Sequence, residues 1–373
     1  MISSDSKLYI AYGIFFILSI VFSLLINGLF LRFSKTLGVR NAENQSVIRW
    51  ASTAKPSVGG FSFYIVFLFS FTAYSLVSFS PIELFNKQLI GLLLSSSIGF
   101  LIGLADDAYN TNPLLKFLGQ LMCAVTLIVS GIIINITDYY ALNALFTIFW
   151  VIGIMNSINM LDNMDGITAT ISGIILFSCL IILMIQGNFF SIYSFIIIGV
   201  IGAIGGFMVF NFHPSKIYMG DTGSQFLGVL LSGIGILLLW NYRDVPGPMF
   251  QFKQFLFPML VFCVPIIDTA TVVVRRLLRK QSPFIGGRDH TTHHLAYLGF
   301  SDKTVLLILS LIGLLSSTIV CLLIYFYKYM ESEITLVFFA YFIILFNVMQ
   351  YLYEKGNKRK LLIEEQQKSM KIA

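Results

Sequence analysis

The sequence has 373 residues, of which 57% are hydrophobic and only 11% are charged. Soluble domains carry about a quarter charged residues, so this composition excludes a soluble globular protein and indicates an integral membrane protein. Lys and Arg number 24 against 18 Asp and Glu, which gives a formal net charge of +6.

Apolar runs of about 20 residues, the length needed to cross the hydrocarbon core of a bilayer, recur along the whole chain. In lipid only helices and closed barrels satisfy their backbone groups, and runs of this length predict helices. Eleven transmembrane helices are predicted, near residues 8–31, 57–78, 88–104, 115–134, 142–160, 167–186, 190–210, 223–241, 253–274, 303–326 and 334–353. The predicted fold is an all-α polytopic membrane protein, with residues 1–353 as one membrane domain and 354–373 as a cytoplasmic tail.

Basic residues are distributed unevenly between the two sides of this bundle. An odd number of spans puts the termini on opposite sides of the membrane, and loops rich in Lys and Arg stay in the cytoplasm. With the C-terminus inside, most of the 24 Lys and Arg fall in cytoplasmic segments. We therefore predict an outside N-terminus and a cytoplasmic C-terminus.

Acidic side chains collect at the ends of the predicted spans. Asp106 and Asp107 close the third span in GLADDAYN, Asp162 and Asp165 close the fifth, and Asp221 opens the eighth in MGDTGS. An intramembrane carboxylate costs about 2.5 kcal/mol or more, so it is tolerated chiefly where it faces water, a partner or a ligand. In the predicted topology all five lie on the cytoplasmic face, which indicates one functional site rather than five separate helix caps.

The segment NSINMLDNMDGI places Asn156, Asn159, Asp162 and Asp165 at three-residue steps. Steps of about 300° would make these side chains a polar ladder that drifts slowly round one side of a helix. Crowded carboxylates need a compensating cation, and carboxylate and amide oxygens are the ligands that Mg²⁺ prefers beside substrate phosphates. We expect a Mg²⁺ site here, with Mn²⁺ as an alternative ion.

The segment 275–303 is the longest predicted cytoplasmic loop. Three of the four histidines of the chain lie in it beside Arg288, namely His290, His293 and His294. A zinc site is one interpretation, although only Asp289 would add a further ligand at suitable spacing. We favour a basic loop that grips a pyrophosphate. The remaining His213 is expected to be structural or peripheral to the site, and the four cysteines are expected to be packing residues.

Six segments, in chain order, resemble the polyprenyl-phosphate N-acetylhexosamine-1-phosphate transferase superfamily. They are KPSVGG, DDAYN, NSINMLDNMDG, FNFHPSKIYMGDTGS, PIIDT and SPFIGGRDHTTHHLAYLGFS, within residues 55–301. The resemblance implies that a sugar 1-phosphate passes from a UDP-N-acetyl sugar to undecaprenyl phosphate, with Mg²⁺ as cofactor and release of UMP. It also implies a bacterial inner-membrane enzyme with its active site on the cytoplasmic face, which starts a cell-envelope polysaccharide. No nucleic-acid partner is expected.

The same resemblance implies a role for each matching residue. Asp106, Asp107 and His290 are implied to be catalytic, with the aspartate pair next to the acceptor phosphate. Asn159 and Asp221 are implied to bind the metal. The remaining implied substrate contacts are Asn156, Asp162, Asp165, Asn211, Arg288, His293 and His294, with Asp165 nearest the uridine.

The histidine spacing bears on the branch of the superfamily. The first histidine of RDHTTHHL is separated from the closing pair by two residues, so the spacing matches neither the three contiguous histidines of the MraY branch nor the His-x-His-His of the WecA and TagO branch. Because the first histidine is separated, the spacing favours the WecA and TagO branch and a GlcNAc-like sugar. The alternative within the superfamily is a phospho-MurNAc-pentapeptide transferase of the MraY branch. Three positions depart from the superfamily pattern, namely Ser57, Asn110 and Asn163.

Two other classes of protein share some of these features. An intramembrane Mg²⁺-dependent prenyltransferase uses Asp-rich motifs, but it lacks GDTGS and the histidine loop. A cation-coupled transporter places acids near mid-membrane, where only Asp268 would fit. Two small-residue motifs, Gly99 to Gly103 and Gly202 to Gly206, fit close helix packing or a homodimer interface.

Overall fold

The structure is a computed structural model that describes residues 4–34, 55–77, 86–243, 251–282, 287, 289–326 and 332–372. Within these ranges the chain is almost entirely helical, and a single bridge between Ser57 and Tyr218 is its only β-structure. The helices are α1 (Ser4–Ser34), α2 (Gly60–Val77), α3 (Lys87–Tyr109), α4 (Pro113–Val129), α5 (Tyr140–Leu161), α6 (Ile167–Ile185), α7 (Ile192–Asn211), α8 (Gly220–Gly235), α9 (Lys253–Val261), α10 (Cys263–Leu278), α11 (Thr291–Tyr297), α12 (Asp302–Phe326) and α13 (Ser332–Ile372). One π-helical turn, Ile236–Trp240, continues α8.

Each of the eleven predicted spans corresponds to helical structure, which confirms the predicted fold class. Nine helices in the described part of the chain are long and apolar enough to cross a membrane. The span predicted near residues 253–274 is the pair α9 and α10, which is bent by 85° at Phe262. If this pair crosses the membrane as one span, the number of candidate spans in the described residues rises to ten. Pro258 within α9 lacks a backbone N–H and interrupts the helix just before the bend. The predicted fourth span is α4, a shorter apolar helix that ends at Val129.

Helix α8 lies at the centre of the bundle. Nearly all of it is buried among other helices, whereas α1 and α13 are mostly exposed. Helix α3 approaches it closely, because a Cβ on Gly99 would collide with Val229 and one on Gly103 with the backbone of Asp221. On the other side of the bundle, Gly202 and Gly206 pack against α1 in the same way. Both small-residue motifs are thus used for packing within the chain.

The C-terminal helix continues past the predicted end of the membrane domain. Helix α13 runs without a break through residue 354 and ends at Ile372. Its portion beyond residue 352 packs against the short helix α11, which carries two of the histidines. We call residues 289–297, which include His290 and helix α11, the histidine segment. Part of the predicted tail is therefore a packing partner of this segment.

Candidate active site

The start of α8 brings together acids from helices that are distant in sequence. Lys116 Nζ, in the first turn of α4, lies 2.9 Å from Asp106 Oδ2 and 3.0 Å from Asp221 Oδ2. Asn159 Oδ1, near the end of α5, lies 3.5 Å from the same nitrogen. We call Asp106, Asn159 and Asp221 the acid cluster. Its oxygens, from three different helices, converge on one cationic nitrogen.

Local capping places Lys116 at this position. Asn110 ends α3 in a left-handed conformation with φ 51°, which Asn tolerates better than most residues. Asn112 then caps α4, with Pro113 in the first turn. The chain therefore reverses within three residues, and Lys116 faces the end of α3 that carries Asp106. Asp106 also accepts a hydrogen bond of 2.9 Å from the Thr111 backbone N–H.

Asp107 caps α8 from a neighbouring helix. Its carboxylate accepts hydrogen bonds from the backbone N–H groups of Asp221, at 3.1 Å, and Thr222, at 2.9 Å, and from the Thr222 hydroxyl at 2.6 Å. The residue before α8, Met219, has no side chain that could cap the helix. A carboxylate at a helix start also interacts favourably with the helix dipole. Asp107 therefore fixes the helix that carries Asp221.

The polar ladder predicted from NSINMLDNMDGI is correct for Asn156 and Asn159, which lie on one helix, and wrong for Asp162 and Asp165. Helix α5 ends at Leu161, and Asp162 and Asp165 lie in a turn that ends at Gly166, whose φ is +78°. Once the helix ends, three-residue spacing no longer puts side chains on one side. The four polar residues consequently make different contacts.

Asn156 lies one turn below the acid cluster in a layer of amides. Its Nδ2 donates to Gln120 Oε1 at 2.9 Å, and Gln120 Nε2 donates to Gln225 Oε1 at 3.1 Å. Gln120 and Gln225 are almost completely buried. The layer joins α4, α5 and α8 directly beneath the acid cluster. Asn159 donates to Asp221 Oδ1 and, at 2.9 Å, to Ser224 Oγ, and these bonds orient its carbonyl oxygen toward Lys116.

Asp162 lies in the turn after α5, near the acid cluster. Burial raises the pKa of its carboxyl to about 7, and the negative charges of Asp221 and Asp107 act in the same direction. At neutral pH the carboxyl is therefore partly protonated. A cation arriving near it would favour the ionised form.

Asp165 belongs to a second group of contacts, on the segment between α7 and α8. It accepts hydrogen bonds from the Ser215 backbone N–H at 2.9 Å and the Ser215 hydroxyl at 2.7 Å. His213 Nδ1 lies 3.1 Å from Asp165 Oδ2, and Lys55 Nζ lies 3.9 Å from the same oxygen. In this state the Asp165 carboxylate holds the segment that leads into α8.

Asn211 is almost completely buried at the end of α7, and both ends of its amide bond to the backbone. Its Oδ1 accepts from the Gly166 N–H at 3.0 Å, and its Nδ2 donates to the Ile217 carbonyl at 2.9 Å. The residue thus connects the turn before α6 to the segment before α8. Its observed contacts are those of a residue that supports the site.

The three histidines face different surroundings. His290 Nδ1 lies 2.9 Å from Asp268 Oδ2, and the Thr291 N–H donates to Asp268 Oδ1 at 2.7 Å, so α10 anchors the start of α11. His293 is buried, with its ring edge-to-face against His290 at 5.6 Å. His294 points the other way and packs on Tyr353 of α13, with 3.8 Å between ring centroids. Arg288 lies outside the described residues.

The surroundings of His294 disfavour its charged form. Burial lowers its pKa to about 4, and the positive charge of Lys360 adds to this effect. The imidazole is therefore neutral at physiological pH. Close by, Arg276 binds Asp289 through two hydrogen bonds of 2.7 and 2.6 Å. Burial alone would raise the pKa of Asp289, but the bonds and charge of Arg276 hold it below its usual value.

One hydrogen bond ties the histidine segment to the turn after α5. Thr292 Oγ1 donates to Asn163 Oδ1 at 2.7 Å, and Asn163 Nδ2 donates to the Met160 carbonyl at 2.9 Å. Asn163 is one of the positions that depart from the superfamily pattern. The departure supplies the acceptor for this connection.

Sequence reasoning missed Lys116 and Gln120 as parts of the site. Lys116 had a visible signal, because it is a lone charge at the start of an apolar helix, ten residues after Asp106. Gln120 and Gln225 stand alone in apolar runs, and nothing in their spacing connects them. The structure brings them together across 105 residues of sequence.

The acid cluster is chemically suited to a hard divalent cation. Mg²⁺ is usually bound by one or two carboxylates plus substrate phosphates, and two carboxylates with one amide oxygen are present here. Among the described residues no group of three or more His, Cys, Asp or Glu could hold a metal ion. The fit therefore depends on Asp106, Asp221 and Asn159, whose oxygens already surround one cation.

Known proteins resemble this chain over most of its length. Residues 89–239 match the family described as glycosyl transferase family 4. A probable undecaprenyl-phosphate N-acetylglucosaminyl 1-phosphate transferase of Bacillus subtilis is 32% identical over 241 residues, which cover 62% of this chain and 65% of that protein. A decaprenyl-phosphate N-acetylglucosaminephosphotransferase of Mycobacterium leprae is 28% identical over a match that covers 69% of this chain and 71% of that protein. A phospho-N-acetylmuramoyl-pentapeptide-transferase of Staphylococcus saprophyticus is 30% identical over a match that covers 72% of this chain and 84% of that protein.

Proposed function

We propose that this chain transfers a sugar 1-phosphate from a UDP-sugar to undecaprenyl phosphate and releases UMP. The chain belongs to the glycosyl transferase family 4 superfamily of polyprenyl-phosphate sugar-1-phosphate transferases. The observation that carries the proposal is the convergence of Asp106, Asn159 and Asp221 at the buried start of α8. Phosphoryl transfer is catalysed mainly by alignment and by neutralisation of charge, and this cluster offers both.

The acceptor phosphate would meet Asp106 and Lys116. A phosphomonoester has a second pKa near 6, so at pH 7 it is largely dianionic and needs little help from a general base. Asp106 would orient the acceptor or remove a residual proton. The Lys116 ammonium, once a metal ion has replaced it on the acids, would compensate the negative charge of the acceptor phosphate. Because both oxygens of Asp107 bind the start of α8, we assign Asp107 a positioning role in place of direct contact with the acceptor.

Asp221 and Asn159, with Asp106, are the residues that would hold Mg²⁺. The ion, or Mn²⁺ in its place, would supply positive charge to the donor diphosphate. The amide layer of Asn156, Gln120 and Gln225 would keep α4, α5 and α8 in register beneath it. Ser224 orients the amide of Asn159 and so presents its oxygen to the ion.

The histidine segment would lie over the departing UMP. Asp268 holds His290, and Asn163 holds Thr292, so α11 is attached to both α10 and the turn after α5. His290 and His293, with Arg288, would draw negative charge from the leaving phosphate. Asp162 and Asp165 would contact the nucleotide side of the donor, with Asp165 nearest the uridine. His294 would act through its packing on α13.

GlcNAc is the sugar that we propose. The separated first histidine and the N-acetylglucosaminyl relatives support it. The second candidate is phospho-MurNAc-pentapeptide, because a relative of that name matches this chain over the largest share of its own length among the three compared. The uneven distribution of Lys and Arg supports an active site on the cytoplasmic face of the bacterial inner membrane.

The test uses the purified full-length chain with undecaprenyl phosphate and a panel of UDP-sugars. We expect UMP release with UDP-GlcNAc, and loss of that release in EDTA with recovery on adding Mg²⁺. Turnover with UDP-MurNAc-pentapeptide alone would move the protein to the second candidate. No UMP from any sugar would refute the proposed function.

A further inference from the structure

Lys116 holds an unusual position within the acid cluster. Its ammonium nitrogen lies about equally far from Asp106 Oδ2, at 2.9 Å, and Asp221 Oδ2, at 3.0 Å, and faces the Asn159 carbonyl oxygen at 3.5 Å. Among the described residues, Lys116 is the only cation that forms a salt bridge with either acid. It therefore occupies the point on which the oxygens of the proposed metal site converge.

A cation at this point offsets the repulsion between the two acids whether or not a metal is bound. Two carboxylate oxygens that are each about 3 Å from one nitrogen lie within about 6 Å of each other, where like charges repel strongly at reduced dielectric. Asp107, the next residue of α3, adds a further carboxylate close to these two. The side chains of Lys116 and Asp106 are only 18% and 12% exposed, so water screens the repulsion incompletely.

A divalent ion and the ammonium cannot share this point. Mg²⁺ binds its oxygen ligands at about 2.1 Å, so an ion that bridged Asp106 Oδ2 and Asp221 Oδ2 would lie in the space that the Lys116 nitrogen now fills. Two cations in one cluster would also repel each other. The lysine stem is long and flexible and the side chain is partly exposed, so the ammonium can leave while α4 stays in place.

We propose that Lys116 is the resident cation of the acid cluster, which neutralises Asp106 and Asp221 in the metal-free protein and is displaced when a divalent cation binds. The proposal deepens the proposed function, because the divalent ion comes from it. Binding of metal and binding of the ammonium are then competing events at the same oxygens. The competition lowers the affinity of the free enzyme for Mg²⁺ and keeps the metal-free site folded.

The experiment measures thermal unfolding of the purified full-length chain in detergent without any substrate. MgCl₂ is titrated from an EDTA baseline, with ionic strength held constant by KCl, for the wild type, Lys116→Met and the control Lys216→Met. Lys216 is exposed on the segment before α8 and forms no salt bridge with any residue that the structure describes. We expect Lys116→Met to unfold at a lower temperature in EDTA, to regain stability with Mg²⁺, and to reach half its response at a Mg²⁺ concentration at least tenfold below that of the wild type.

Lys216→Met should respond to Mg²⁺ as the wild type does. Recovery of folded Lys116→Met only from buffers that contain Mg²⁺ would support the proposal. The same Mg²⁺ midpoint in Lys116→Met and the wild type would overturn it.

Lys116→Arg decides the case in which Lys116→Met does not fold under either condition. A guanidinium binds carboxylates through two parallel hydrogen bonds and should be harder to displace, so this variant should need more Mg²⁺ than the wild type. An unchanged midpoint in Lys116→Arg would overturn the proposal. Because no substrate is present, a failure of UMP release with every sugar would refute the proposed function and leave this result intact.

Discussion

The acid cluster and the histidine segment are held in place by different kinds of interaction. In the acid cluster, the Lys116 ammonium binds both carboxylates, and each carboxylate also accepts a hydrogen bond from a backbone N–H or an amide. In the described part of the histidine segment, aromatic packing of His294 on the C-terminal helix adds to the hydrogen bonds that His290 and Thr292 make. Polar contacts fix individual atoms, whereas packing fixes a whole helix. The first region is therefore suited to holding charge, and the second to keeping α11 in place against α13.

Asp221→Asn tests the first region directly. The change keeps the shape of the side chain and removes the charge that both Lys116 and the proposed ion bind. We expect UMP release to fall by about 100-fold or more, since loss of one preorganised electrostatic group costs about that much. Asp138→Asn, an exposed acid between α4 and α5, should retain wild-type activity. Near-native turnover of Asp221→Asn would show that the cluster has no part in the chemistry.

Gly60→Ala tests how rigid the support of the acid cluster is. A Cβ at this position would overlap the backbone of Gly223 at the start of α8, where no side-chain movement can relieve the clash. Overpacking of this kind costs about 1–3 kcal/mol, so we expect a clear fall in the temperature of thermal unfolding. Gly153→Ala, on α5 with open space around it, should be neutral or slightly stabilising. Equal effects of the two changes would contradict the close packing of α2 on α8.

Gly356→Ala is the corresponding test for the histidine segment. A Cβ there would overlap the backbone carbonyl of His294, so α11 must move away from α13. We expect kcat/KM for the UDP-sugar to fall about tenfold through misplacement of His290 and His293, with little change in unfolding temperature. Gly13→Ala, on α1 with nothing near it, is the matched control. If activity is unaffected, α13 does not position the histidines.

The hydrogen bond between Thr292 and Asn163 joins the two regions, and a double-mutant cycle can measure it. Asn163→Ala, Thr292→Val and the double variant would be compared by denaturant unfolding. We expect a coupling energy of about 1 kcal/mol, the usual size for one buried hydrogen bond. Additive effects would mean that the segment is held by Asp268 and α13 alone.

The smallest expected effect concerns pH. The folded pKa of His294, about 4, lies below its ordinary value of 6.5, so the unfolded chain takes up a proton more readily as pH falls from 6.5 toward 4. His294 therefore contributes to a loss of stability over that range and to none above it. Lys360 and Arg279 favour the neutral ring and Asp289 opposes them. His294→Phe should show a shallower loss of stability than the wild type between pH 6.5 and 4, and parallel curves would exclude this role.

Much of the site could be predicted from the sequence, because it rests on chemistry that is local. Asp106, Asp221 and Asn159 follow from the expense of polar groups in apolar helices, and the structure brings them together. Asp165, Asn211 and His294 are near the predicted site, but their contacts are with backbone, loop or aromatic groups. The type and spacing of a polar residue indicate that it has a structural or functional role, but they do not identify the group that it contacts.

The sequence by itself determined the membrane class, the eleven helical segments and the concentration of acids at helix ends. The physical reason is that bilayer thickness and the cost of buried charge act on each segment separately. Only the tertiary structure decided that Lys116 bridges two acids, that Asp107 caps α8 and that His294 faces α13. These contacts join residues that are 10 to 115 positions apart, and they depend on where glycines let helices approach. Helix periodicity relates side chains within one helix, and it ends where the helix ends, as it does at Leu161.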